Sequence, residues 1–194
     1  MGCSKNAITG RKQLSLVSEN QLQQEAVTKY QSFLSKNKVV SNSSNKDAEM
    51  VKRVGSSISK VITSYYTNQG KGDLLKGYNW EFNLIDNKEV NAWCMKGGKV
   101  VVYTGLLPVA QNEAALAVVL GHEIAYAIAA HGNERMSQGM LAQGLGTIGD
   151  ILTSNNPKVN NIFNNTFGLG DRLGYYSLIV VSKSMMPIVL EYPL

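Results

Sequence analysis

Apolar positions recur at helical spacing in two stretches near the start of the chain. Leu22, Ala26, Tyr30, Phe33 and Leu34 predict a helix over 18–36, opened by Ser18 as its cap. After a polar Ser/Asn loop at 41–46, Met50, Val54, Ile58, Val61, Ile62 and Tyr65 predict a second helix over 47–67. The period then changes from helical to alternating. Trp80, Phe82 and Leu84 alternate with polar neighbours and predict a strand over 80–85, followed by strands over 90–95 and 99–103 on either side of the Gly97-Gly98 turn. A short helix or turn over 104–110 leads into NEAALAVVLGHEIAYAIAAHGNER, which is apolar nearly all round. Asn112 caps it, Glu113 sits in its first turn and Gly132 should end it, so a buried central helix is expected. Another helix over 133–150 and an Asn-rich polar loop over 154–165 complete the pattern. The sum is an α+β fold, with helices packed on a small mixed sheet and the central helix beneath its edge strand.

Composition narrows the picture only a little. The 194 residues are 44% hydrophobic and 17% charged, as for one globular domain. Nineteen Lys and Arg against 14 Asp and Glu leave a net charge of +5, but the basic residues are scattered and no nucleic-acid partner is expected. No apolar run reaches the ~18–20 residues of a membrane helix. Cys94 falls in a strand and reads as a small buried thiol. Gly2-Cys3 followed by small polar residues is how a bacterial lipoprotein begins after its signal peptide is cut, with Cys3 the lipidated residue and 1–17 a tether. Myristoylation at Gly2 and an ordinary flexible tail are the rival readings.

Candidate chemistry concentrates in the central helix. His122-Glu123-x-x-Tyr126 is one residue short of H-E-x-x-H, in which two histidines four apart lie on one helical face and bind zinc. A histidine and a glutamate in so apolar a helix need partners, because burying them alone is costly. Tyr126 either ligates a metal as phenolate or is a buried aromatic, and a phenol with pKa near ~10 is a poor substitute for imidazole. His131 lies nine residues after His122, about 180° round an unbroken helix. It is therefore expected as a helix C-terminal residue favoured by the dipole.

The blocks TGRKQL (9–14), NAWCMKGGKVVVYTGLL (91–107), NEAALAVVLGHEIA (112–125) and HGNERMSQ (131–138) together resemble a family of zinc metallopeptidases. It includes the CAAX prenyl protease, mitochondrial Oma-type proteases and bacterial outer-membrane lipoprotein peptidases. The resemblance implies a zincin-like fold, one zinc ion, His122 as first metal ligand, Glu123 as general base and Tyr126 in place of the second histidine. It makes Asn91, Ala92 and Trp93 the cleft-edge strand that pairs with an extended substrate. Unfolded or misassembled envelope proteins would be the substrates, and the location would be periplasmic, lipid-anchored to the outer membrane through Cys3. The family's third ligand, a glutamate in an E-x-x-x-D motif, is missing after Gly170. There a tail over 171–194 reads DRLGYYSLIVVSKSMMPIVLEYPL. Back-translation of 170–192 with permitted codons, one C restored, reads GAQVGVLLPYSRKQEYDADRIGI, which resembles the missing segment. The tail is thus expected to be out of frame. The domain over 18–170 is expected to be a metalloendopeptidase impaired in this chain, or else a catalytically inactive homologue that binds peptides or partners.

Overall fold

A computed structural model describes residues 3–6, 10–40, 45–144 and 156–167. Helix α1, Glu19–Lys36, starts from a capping box. The Ser18 hydroxyl accepts the Gln21 N–H at 3.2 Å, and the Gln21 side chain takes the Ser18 N–H. Its inner face buries Leu22, Ala26 and Tyr30. Helix α2, Lys46–Asn68, is capped by the Asn45 side chain, with Asp47 and Glu49 in the first turn where the helix dipole favours acids. Val51, Val54, Ile58, Ile62 and Tyr66 form its buried stripe.

Residues 3–5 (β1, Cys3–Lys5) and 12–14 (β2, Lys12–Leu14) pair as an antiparallel ribbon, with Cys3 opposite Leu14. The main sheet has three strands, β3 (Glu81–Ile85), β4 (Ala92–Met95) and β5 (Lys99–Tyr103), in the order β3-β5-β4. Strand β5 runs antiparallel to β4, its hairpin neighbour, and parallel to β3, so the sheet is mixed as expected. All five residues of β5 are buried. Strand alternation sends Phe82, Leu84, Ala92, Cys94, Val100 and Val102 into a core shared with α2 and the central helix. Ile85, Trp93, Met95, Val101 and Tyr103 point into a second core under α1. Gly55 lets α2 close on β3, because a Cβ there would sit 2.2 Å from the Phe82 ring.

After a 3-10 turn over Thr104–Leu106 and the one-turn helix α3 (Leu107–Ala110), the central helix α4 runs Glu113–Ile128, with the Asn112 side chain accepting the Ala115 N–H at 2.9 Å. It packs against β4 and α2. One face buries Leu116, Leu120, Gly121, Ile124 and Ile128, and each fully enclosed Leu or Ile there contributes about 1.5–3 kcal/mol. The opposite stripe, with Val118, Val119, His122, Glu123 and Tyr126, is only half-buried. Uniform apolarity therefore overstated the burial of this helix.

Two further expectations are corrected. The central helix ends at Ile128, not near Gly132: Ala130 takes φ 54°, and α5 (His131–Ala142) departs at 59°. The Asn-rich stretch expected as a loop contains α6, Pro157–Thr166. Asn156 caps it, Pro157 occupies its first turn, and Val159, Ile162 and Phe163 at i, i+3 and i+4 are buried in the second core, while α6 itself packs on α5. The end of the expected helix over 133–150 and the tail over 171–194 lie outside the described residues. Among the described residues no single helix is long and apolar enough to cross a membrane.

Candidate functional site

His122, Glu123 and Tyr126 sit on the half-buried stripe of α4 because their helical spacing brings them to one side. The His122 and Tyr126 ring centroids are 6.4 Å apart. Burial lowers the His122 pKa, and the charge of His131 lowers it further; both favour the neutral imidazole, whose lone pair can bind a metal. Burial pushes the Glu123 carboxyl up to about 7, with Arg135 pulling the other way. Cys94 on β4 is the neighbour across from Glu123. Burial and that carboxylate push its thiol far above the ordinary range, and its Sγ donates to the Met95 carbonyl at 3.4 Å. A thiol so buried and so reluctant to ionise is a poor nucleophile, in line with the small buried thiol expected.

The break at Ala130 changes the place of His131. It is the first residue of α5, not the last of α4, so the dipole at its position disfavours a cation. Its ring centroid lies 4.9 Å from that of Tyr126, and its Nδ1 is 3.9 Å from Glu134 Oε2. Burial lowers the His131 pKa; Glu134 opposes this, while Arg11 and Arg135 reinforce it. The Arg135 guanidinium covers the Tyr126 ring at 5.6 Å from its centroid. Tyr126 is thus flanked by two imidazoles and a guanidinium, and burial raises its phenol pKa. Sequence reasoning missed Arg135 and Glu134 as members of this cluster; no local signal marks the break that brings them in.

A catalytic zinc takes three protein ligands. Among the described residues, no three His, Cys, Asp or Glu side chains come together as a metal-binding group. His122 offers one good donor, and Tyr126 would have to surrender a proton that its surroundings hold more tightly than usual. The described residues alone do not fit such a site.

Asn91, Ala92 and Trp93 lie next to α4 through the packing of β4 on that helix. The Asn91 carbonyl accepts the Tyr103 N–H at 3.0 Å, and Ala92 and Trp93 register with Val102 and Val101. The Trp93 side chain points away from α4, edge-on to Tyr30 and Phe33 at 6.3 and 5.1 Å. The outer edge of β3 is covered by 38–40, through Val40 N–H to the Leu84 carbonyl and Asp86 N–H to the Lys38 carbonyl, both 2.9 Å. The outer edge of β4 has no strand partner among the described residues. An unpaired edge of this kind can accept an extended peptide.

Comparison with known proteins adds the family. Residues 56–192 match the model described as Peptidase family M48. The mitochondrial metalloendopeptidase OMA1 of Arabidopsis thaliana is 39% identical over 66 residues, 34% of this chain and 14% of that protein. Its namesake in Saccharomyces cerevisiae is 30% identical over 106 residues, 53% of this chain and 30% of that one. The Beta-barrel assembly-enhancing protease of Escherichia coli (strain K12) is 36% identical over 76 residues, 38% of this chain and 16% of its own length. The chain spans less than a third of the length of these relatives. The location expected from Cys3, lipid-anchored at a bacterial outer membrane and periplasmic, is corrected by them. Relatives from plant, yeasts and human are named as mitochondrial enzymes. A Gly-Cys pair followed by small polar residues is too short a pattern to carry an address against that. With more than half its residues covered by the family model, the chain belongs to peptidase family M48.

Proposed function

We propose that residues 18–170 form a zincin-like metallopeptidase domain acting on unfolded or misassembled proteins, with its metal site impaired in this chain. The relatives' names, metalloendopeptidase and assembly-enhancing protease, support a protein substrate. The observation that carries the reading is His122 beside Glu123 on a helix packed against β4, whose outer edge has no strand partner among the described residues. An extended segment would pair with Asn91–Trp93, and Glu123, poised near neutrality, would accept a proton beside it. In the intact site a zinc ion would supply Lewis-acid chemistry, with His122 its first ligand. Tyr126 stands where the second would be. The tail over 171–194 is read as out of frame, which would remove the third.

A second reading is a catalytically inactive homologue that binds peptides along β4, favoured by the lack of a three-donor group among the described residues. Zinc analysis of the purified chain and digestion of unfolded casein separate the two. Stoichiometric zinc, with cleavage abolished by Glu123→Gln, supports a working enzyme and removes the impairment. A metal-free chain that binds casein without cutting it supports the second reading.

A further inference from the structure

We propose that Asn6 and Arg11 form a two-point clamp on the corner between α4 and α5, and that this clamp holds His131 on the Tyr126 side of the central helix. The local sequence gives the helix no reason to stop where it does. Ile128, Ala129 and Ala130 include the best helix former there is, and neither glycine nor proline interrupts them. Ala130 nevertheless takes the left-handed conformation, which its Cβ disfavours. Something outside the helix must hold it there.

The N-terminal ribbon is in place to do so. Its tip closes on itself through Asn6 N–H to the Arg11 carbonyl at 2.8 Å and Gly10 N–H to the Asn6 carbonyl at 2.9 Å. The two side chains therefore leave backbone positions tied to each other. Asn6 Nδ2 donates to the Ala129 carbonyl at 2.7 Å, at the end of α4, and to the Gln13 side chain at 2.9 Å. An unbroken helix would pair that same carbonyl with the Asn133 N–H. Arg11 forms an ion pair with Glu134 in the first turn of α5. One contact thus grips each side of the break. Farther along, the Leu16 N–H donates to Ser137 Oγ at 2.9 Å and Asn133 Nδ2 donates to the Val17 carbonyl at 2.9 Å, tying α5 to the same segment.

The consequence is the position of one of the chain's two histidines. Were α4 to run on through Ala130, His131 would lie about half a turn away from His122. With the corner held, its ring meets Tyr126. Asn6 and Arg11 are positioning residues whether or not the chain cuts peptides.

The test is the nuclear Overhauser contact between the Tyr126 and His131 rings in the full chain. In an Asn6→Ala/Arg11→Ala double variant the contact should fall severalfold while helical circular dichroism is kept or rises. Adding Ala130→Gly should restore it, because glycine holds the left-handed conformation without the clamp. Undiminished contact in the folded double variant overturns the proposal. So does a loss that Ala130→Gly does not reverse, since general loosening of α5 would behave that way. If the double variant does not fold, the same contact is read in the two single variants, and an undiminished signal in both overturns the clamp.

Discussion

The rings of Tyr126 and His131, five residues apart across a helix break, lie 4.9 Å between centroids with their planes tilted by 39°. Tyr126 occupies the position of an imidazole in the motif the helix resembles, and its ring is flanked by two real imidazoles and Arg135. The change from histidine to tyrosine takes a single base. Tyr126 is only half-buried, so a smaller imidazole there should be structurally tolerable and chemically informative. Tyr126→His places two imidazoles at i and i+4 on one face, the spacing that chelates zinc. Zinc affinity should rise by at least about tenfold, read by competition with a chromophoric chelator. Unchanged affinity would mean that His122 is not oriented to share a metal.

Glu123 should make stability depend on pH in the metal-free chain. Its folded pKa is raised from 4.5 to about 7, so between those values the native state holds a proton that the unfolded state has lost. Stability therefore falls as pH rises through that window, by ~3 kcal/mol for the whole shift. The depressed histidines act in the opposite direction, but they are common to wild type and Glu123→Gln. Urea denaturation should find the variant's advantage larger at pH 8 than at pH 5. An equal difference at both would contradict the burial of this carboxyl.

Ala130→Gly should stabilise the folded chain by about 1 kcal/mol, since glycine adopts φ 54° without the Cβ clash. Inside α4, at Ala117, the same substitution should cost about as much. The urea midpoint reads both, and a destabilising Ala130→Gly would argue against the left-handed corner.

Gly55→Ala should destabilise by ~1–3 kcal/mol, because its Cβ would enter the Phe82 ring and push α2 off the sheet. Thermal unfolding measures it. Phe82→Leu in the same chain should recover part of the loss.

Reading the coding nucleotides around Gly170 tests the tail. One missing base should restore a frame containing E-Y-D-A-D; if no such frame is present, the tail is this chain's own and the third ligand must be sought elsewhere.

Much of the scaffold was legible because it is written locally. Ser18 with Gln21 and Asn112 ahead of Glu113 are capping patterns, and the strands over 81–85, 92–95 and 99–103 follow from alternation and the Gly97-Gly98 turn. His122 and Glu123 were visible for the same reason: neighbours in sequence stay neighbours on a helix. The α6 helix was missed: Asn156, Pro157 and the spacing of Val159, Ile162 and Phe163 marked it, but the density of asparagine read as a loop.

Sequence alone thus determined most of the elements and the α+β class, and set His122 beside Glu123 on the central helix, since each rests on periods and caps a few residues long. Tertiary structure decided that β5 lies between β3 and β4, that the outer edge of β4 stays unpaired among the described residues, and that Ala130 turns left-handed. The last of these follows from Asn6 reaching Ala129 across 123 positions of chain. No local pattern records a contact that distant, so the side of the helix on which His131 lies became readable only once the chain had folded.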